Sequence, residues 1–174
     1  MEKSFEPITE QDLKELVKLT LIEHETFFKR KPEYESFYKN TLLAIVLGQG
    51  ASSHYRDGKY GIKDFDIYIF YKEHPEKRMW IRRVKKIKSN LEKFGNPNVD
   101  FMRKAIKTKY IDGNEDNIEK IILRFLSESK TQTAKFLTIW VKKEKNRTRN
   151  IIVGLYPESI FKKILWEGEI QVFK

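Results

Sequence analysis

The stretch that decides the fold runs from Leu42 to Tyr71, LLAIVLGQGASSHYRDGKYGIKDFDIYIFY. A short apolar run ends in Gly48-Gln49-Gly50, and a polar loop then leads to Asp64-Phe65-Asp66 and a second apolar run. Because side chains alternate along a strand, the two carboxylates are predicted to share one face. A glycine turn that opens a helix presents backbone N–H groups suited to phosphate. A carboxylate pair behind such a turn is the minimum equipment for metal-assisted chemistry on a nucleotide.

The composition indicates one domain with an anionic partner. The chain has 174 residues, of which 40% are hydrophobic, enough for a single core. Its net charge of +10 indicates nucleic acid or nucleotide as a partner, or merely solvated lysines. Absence of cysteine excludes a disulfide framework and a thiolate zinc site. With no apolar leader and no long apolar run, we expect a cytoplasmic protein that does not contact membranes. The oligomeric state is not indicated.

The hydrophobic periodicity predicts an α+β (α/β) fold, a mixed sheet flanked by helices. Strands are predicted at Leu42–Leu47, Asp64–Tyr71 and Val99–Ile106. Helices are predicted from Thr9 to about Phe28, from Pro32, from about Ala51 and from Asn114 to Ser129. Further along, we expect a hairpin of Phe136–Val141 with Ile151–Leu155, a short helix from Pro157 to Trp166 and a last strand, Glu169–Phe173.

One segment carries a strong amphipathic helix pattern, from about Glu76 to Phe94. Its apolar residues follow a 4-3-4-3 spacing and are expected to face the core: Trp80, Val84, Ile87, Leu91 and Phe94. The opposite face would carry Arg78, Arg82, Lys85 and Lys86. Such a face is usually solvated, but a second basic cluster at Lys142–Arg149 makes nucleic-acid phosphates an alternative partner.

The acidic residues point to a divalent metal. Aspartate is disfavoured within strands, so Asp64 and Asp66 in a hydrophobic strand require a reason. A third acid, Asp100, heads the next predicted strand and would face the pair if the two strands are neighbours. Hard oxygen ligands of this kind hold Mg²⁺ together with phosphate oxygens. The structural alternative is that these aspartates cap turns at strand edges.

The segments IVLGQGASS, DFDIYIF and VDFM resemble the nucleotidyltransferase fold of the DNA polymerase β superfamily. The resemblance covers residues 42–106 as a catalytic core, with a helical segment before it at 1–41 and an α/β extension after it at 107–174. In that family a glycine is followed by a small polar residue. Here Gln49 follows Gly48 and Ala51 follows Gly50, so Ser52 or Ser53 would take that role.

The resemblance implies a Mg²⁺- or Mn²⁺-dependent enzyme that moves a nucleotidyl group from an NTP such as ATP to a hydroxyl. The acceptor would be RNA, a protein or a small molecule. Asp64 and Asp66 would bridge two metals, and Asp100 would favour the one at the attacking oxygen. The nucleotide phosphates would be held by Gly48, Gly50, Ser52, Ser53 and Lys63. The alternative is a catalytically inactive module of the same fold that binds nucleotide or nucleic acid.

The three histidines, His24, His54 and His74, are scattered and show no metal-ligand spacing. His24 is expected to be structural or exposed. His54 follows the glycine turn and is interpreted as a helix-surface residue in preference to a phosphate ligand.

Overall fold

The computed structural model describes residues 3–86, 90–95, 97–138 and 149–169. The helices are α1 (Glu10–Arg30), α2 (Pro32–Tyr38), α3 (Gln49–Asp57), α4 (Thr108–Ile111), α5 (Ile118–Glu128) and α6 (Gln132–Thr138). The strands are β1 (Leu42–Gly48), β2 (Phe65–Lys72), β3 (Trp80–Lys86), β4 (Asn98–Ile106), β5 (Arg149–Tyr156) and β6 (Ile164–Glu169). Two short 3-10 helices lie at Asn90–Phe94 and Glu158–Ile160.

The strands form one six-stranded mixed sheet in the order β3-β4-β2-β1-β5-β6. The β2–β4 pair is parallel and every other neighbouring pair is antiparallel. The predicted class, a mixed α/β sheet with helices, is therefore confirmed, as are the predicted strands in β1, β2 and β4. Their near-continuous apolar runs follow from burial on both faces of the sheet.

Each face of the sheet carries its own hydrophobic cluster. One face packs Ile45, Ile67 and Phe101 against residues of α1, α2 and α3. The other packs Val46, Phe70 and Met102 against α4, α5 and α6. The alternation of these positions along each strand is the period of two expected for a sheet.

Helix α1 begins where the sequence predicts, at Thr9. The Thr9 hydroxyl accepts from the backbone N–H of Asp12, and the Asp12 carboxylate accepts from the backbone N–H of Thr9. This reciprocal capping box satisfies two of the free donors at the start of the helix.

The predicted helix from Glu76 to Phe94 is wrong. Trp80–Lys86 is the edge strand β3, which pairs along its whole length with β4, and Asn90–Phe94 is a 3-10 helix. Trp80, expected in the core, is 49% exposed. Leu91 and Phe94 are buried as predicted, and Ile87 lies outside the described residues. An apolar spacing that also suits a helix was overridden by the open edge of β4, which offers a full ladder of hydrogen bonds.

Two other predictions are corrected in the last third of the chain, and a third falls mostly outside the described residues. Gln132–Thr138 is helix α6, where a strand was predicted from Phe136, and residues 139–148 lie outside the described part. The Thr131 hydroxyl accepts from the backbone N–H of Ala134, a side-chain cap that favours the helix. The predicted helix after Pro157 is a 3-10 turn followed by strand β6. The predicted last strand falls mostly on undescribed residues 170–174.

Among the helices described, none has the length and apolar character that crossing a bilayer requires.

Candidate functional site

The acids that the sequence singles out meet at one end of the sheet. In the β1–β2 pair Gly48 lies opposite Asp66, and in the parallel β2–β4 pair Asp66 lies beside Asp100. Neighbouring strands are about 4.8 Å apart, and residues in register share a face. Gly48, Asp66 and Asp100 therefore form one row across three adjacent strands, with Asp66 half-buried and Asp100 7% exposed.

Asp64 lies outside this row. It precedes β2, is exposed, and its Oδ1 accepts from the backbone N–H of Asn98 at 3.3 Å. Nowhere in the described residues do three histidine, cysteine or acidic side chains form a group that could hold a metal ion. The expected cluster of three acids is therefore not formed in the described residues: Asp66 and Asp100 are neighbours in register, and Asp64 lies outside their row. Their hard oxygen donors fit Mg²⁺ or Mn²⁺ by type.

A cleft of about 130 Å³ lies beside Asp64 and Asp66, and Asp100 is not among the residues that line it. Asp64 and Asp66 line one part of it, and the first residues of α3 line another. Lys63, predicted to touch phosphate, lines it as well. Pockets that hold a whole ligand have about 300–1,000 Å³, so this cleft has room for a phosphate group and the rest of a nucleotide would extend beyond it.

The start of α3 gives the cleft backbone donors suited to an anion. Gly48 is the residue before the helix, and Gln49, Gly50 and Ala51 of its first turn line the cleft. The first N–H groups of a helix have no partner within the helix, and the helix dipole adds partial positive charge there. Backbone donors and the Lys63 ammonium thus share one small space with two carboxylates.

Gln49, which breaks the family pattern, has a defined place. Its φ of 58° is in the left-handed region, unusual for a residue with a side chain. Its side-chain amide donates to the Tyr68 hydroxyl at 2.7 Å. Tyr68 lies two residues after Asp66 on the same face of β2, so the amide links the turn to the strand that carries the acid.

Gly50 and Lys3 both pack against the ring of Tyr60. A Cβ on Gly50 would lie 2.4 Å from the Tyr60 ring, so the glycine is required by this packing. The Lys3 ammonium lies 3.9 Å from the centre of the same ring and donates to the Tyr60 carbonyl at 3.3 Å. Lys3 lines the cleft, and sequence reasoning missed it. No local signal marks it, because a pairing of Ser4 with Ile62 brings it there.

The two serines predicted to hold phosphate do not line the cleft. Ser52 is fully buried. Its hydroxyl oxygen lies 2.7 Å from the carbonyl oxygen of Gln49 and within hydrogen-bond distance of the carbonyl oxygen of Ile151. Ser53 is 4% exposed. Ser52 thus turns inward, toward β5. Of the residues predicted to hold phosphate, Gly50 and Lys63 line the cleft.

His54 was expected at a helix surface and is buried. Its Nδ1 accepts from the backbone N–H of Gly61 at 2.8 Å, so its Nε2 carries the proton that it donates to the Glu6 carbonyl at 2.9 Å. The neutral ring therefore fastens α3 to the loop that borders the cleft and to the N-terminal segment.

The basic residues predicted on a helix face lie on or before an edge strand. Arg82, Lys85 and Lys86 are in β3, and Arg78 precedes it. Charged residues on edge strands discourage pairing with other chains, which accounts for them without a ligand. The second basic cluster, Lys142–Arg149, falls almost entirely outside the described residues.

Behind the strands, on the α1 face, lies a buried ionic cluster. Arg103 of β4 is fully buried, and its Nη2 lies 3.2 Å from the Glu23 carboxylate. The His24 Nδ1 atom lies 2.8 Å from the Tyr71 hydroxyl oxygen, a hydrogen-bond distance. Burial raises the pKa of Tyr71 to about 12 and lowers the pKa of His24. His24 is thus structural, as expected.

Comparison of the chain with protein-family models, with curated proteins and with solved structures gave no match.

Proposed function

We propose that the protein is a metal-dependent nucleotidyltransferase that moves a nucleotidyl group from an NTP to an acceptor hydroxyl. The observation that carries the proposal is the row of Gly48, Asp66 and Asp100 beside the start of α3. The start of the helix then lies one strand spacing from Asp66 and two from Asp100. The order of these features along the chain supports the same activity.

One set of residues would bind the phosphates of the NTP, and another would bind the metal. Backbone donors of Gln49, Gly50 and Ala51, with Lys63 and Lys3, would bind the phosphates of the NTP. Asp66 and Asp100, with Asp64 beside them, would hold Mg²⁺ or Mn²⁺. When bound, such ions stabilise charge on the attacking and leaving oxygens.

The proposed transfer is a single substitution at the α-phosphorus of the NTP. The acceptor oxygen forms a bond to the α-phosphorus, the bond to the β-phosphate oxygen breaks, and pyrophosphate leaves. The hydroxyl proton is released to solvent. The side chains of this chain contribute by holding the triphosphate and by neutralising charge as it moves to the leaving group.

The activity is tested by incubating the protein with each α-labelled NTP, Mg²⁺ and total RNA, protein extract or small acceptors. We expect label in one acceptor fraction and its loss in Asp66→Asn. Asp116→Asn, an exposed aspartate remote from the site in sequence, is the matched control and should transfer label like the parent. Transfer that is unchanged in Asp66→Asn would refute the assignment.

A second function is a nucleotide-binding module without chemistry, favoured by Gln49 in place of the small polar residue and by the inward-facing Ser52. Calorimetry with a non-hydrolysable NTP separates the two. Divalent ion that binds together with the analogue supports the enzyme, whereas binding of the analogue independent of metal supports the module.

A further inference from the structure

The opposite end of the β2–β4 pair carries a second, basic site. A cavity of about 400 Å³ lies there, lined by the cations Arg78, Lys104 and Lys107 and by Glu73. A neighbouring cavity of about 420 Å³ shares Lys107 with it. We call these two cavities together the basic groove. Its cations are Arg78, Lys104, Lys107, Lys109 and Lys130.

One acid, Glu73, lines the first cavity together with its three cations. Within the described ranges none of Arg78, Lys104 and Lys107 forms a salt bridge. Burial lowers the pKa of Lys104, the charges of Arg78 and Lys107 lower it further, and the charge of Glu73 raises it. Glu128, the acid that lines the second cavity, is paired with Arg124. The groove is therefore a cationic space in which an anion would find few competing carboxylates.

An exposed tryptophan lies beside one cation of the groove. Trp80 of β3 lies directly opposite Lys104 of β4, so the two side chains share a face of the sheet and are within contact range. The ring is 49% exposed, an uncommon state for a tryptophan in a folded domain. Exposed aromatic faces beside a line of cations are the features with which proteins bind single strands, by stacking on bases and attraction to phosphates.

We propose that the basic groove and Trp80 bind a single-stranded nucleic acid, which rests on the proposed function as the identity of its acceptor. Two adjoining cavities with five cations suit a polyanion better than one phosphate group. Asp100 lies four residues before Lys104 on β4, about 13 Å away at the rise of a strand. Met102 lies between them on the same face and is buried, so a strand held at Trp80 and Lys104 would pass outside the covered middle of β4 to reach the acids.

The test measures binding of a labelled single-stranded RNA by fluorescence anisotropy, in EDTA and without NTP, at several salt concentrations. The triple variant Arg78→Gln/Lys104→Gln/Lys107→Gln removes three cations of the groove. Each lost phosphate contact should reduce the steepness of log K against log salt by about 0.7, so the slope should fall by about 2. Lys14→Gln/Lys18→Gln/Lys29→Gln removes the same charge from the exposed face of α1 and should leave the slope unchanged.

The aromatic part has its own variants. Trp80→Leu should weaken binding about five- to a hundredfold, as loss of one stacked base does, whereas Trp80→Phe should retain most of the affinity. Circular dichroism verifies that each variant is folded. Equal slopes for the two triple variants, equal binding by Trp80→Leu and Trp80→Phe, or displacement of the RNA by low-millimolar inorganic phosphate would overturn the proposal.

The two proposals fail separately. Asp66→Asn should bind RNA like the parent, because binding is measured without metal. RNA binding through the groove with no label transfer would refute the nucleotidyltransferase alone. Label transfer that persists in both groove variants with undiminished RNA binding would refute the groove alone.

Discussion

The two ends of the parallel pair β2–β4 differ in charge. Where the strands begin, Asp66 and Asp100 lie side by side, and where β4 ends, Lys104 and Lys107 line a cationic cavity. Between them the strands are buried and apolar except for Arg103. One pair of strands therefore keeps an acidic end and a basic end at a fixed separation, because hydrogen bonds to the neighbouring strands hold each strand extended.

The largest effect on stability is expected in the buried middle of the β2–β4 pair. Arg103→Met leaves the buried Glu23 carboxylate without its closest cation, which should lower the free energy of unfolding by about 3–5 kcal/mol. Both ends should unfold together in urea, followed by circular dichroism and tryptophan fluorescence. Adding Glu23→Leu should recover much of the loss, since the pair is then replaced by apolar groups. No recovery in the double variant would show that the cluster stabilises by more than its charge balance.

Asp66→Asn removes one of the two neighbouring carboxylates at the acidic end. Removing a metal ligand should lower label transfer at least about a hundredfold. The neighbouring charges of Asp66 and Asp100 repel, so the metal-free variant should be more stable than the parent by about 0.2–1 kcal/mol. Mg²⁺ at a hundred times its Kd should stabilise the parent by about 2.7 kcal/mol and the variant much less. Thermal melts with and without Mg²⁺ measure both effects, and equal stabilisation of the two proteins would contradict the site.

Two variants of Gln49 test the turn at the acidic end. Gln49→Gly relieves the left-handed backbone, whereas Gln49→Ala keeps the strain and loses the hydrogen bond to Tyr68. We expect the glycine variant to be more stable than the alanine variant by about 1 kcal/mol in urea unfolding. Equal stabilities would mean that φ at this position is relaxed.

The smallest effect concerns pH and His24, behind the middle of the strands. Burial lowers the pKa of His24 below its ordinary 6.5, an effect that Glu25 opposes and Arg103 enhances, while the backbone hydrogen bond of Lys39 raises the pKa and its charge lowers it. The unfolded chain then binds a proton near pH 6.5 that the folded protein does not bind until lower pH. Stability from this group is full above pH 6.5 and is lost as pH falls below it. Melting temperatures between pH 8 and 5 should fall more for the parent than for His24→Gln, and parallel curves would contradict this.

Much of the acidic end could be predicted from local sequence. The apolar runs of β1, β2 and β4 are too strongly patterned for another structure, and the Thr9–Asp12 cap is a local motif. The position of Asp66 beside Asp100 follows once these strands are neighbours. The basic end could not be predicted, because Lys104, Lys107 and Arg78 come together only through the pairing of β3 with β4 and the packing of α5.

The sequence by itself determined the strand–turn–strand unit that carries the acids, since alternation of side chains is a local property of the chain. Only the tertiary structure decided that Trp80–Lys86 is an edge strand, that Ser52 turns inward, and that Lys3 reaches the cleft. These outcomes depend on partners distant in the chain, namely the free edge of β4, the Ile151 carbonyl and the Tyr60 ring. A periodicity reports what a segment prefers, and the free energy of pairing and burial with its neighbours decides what it becomes.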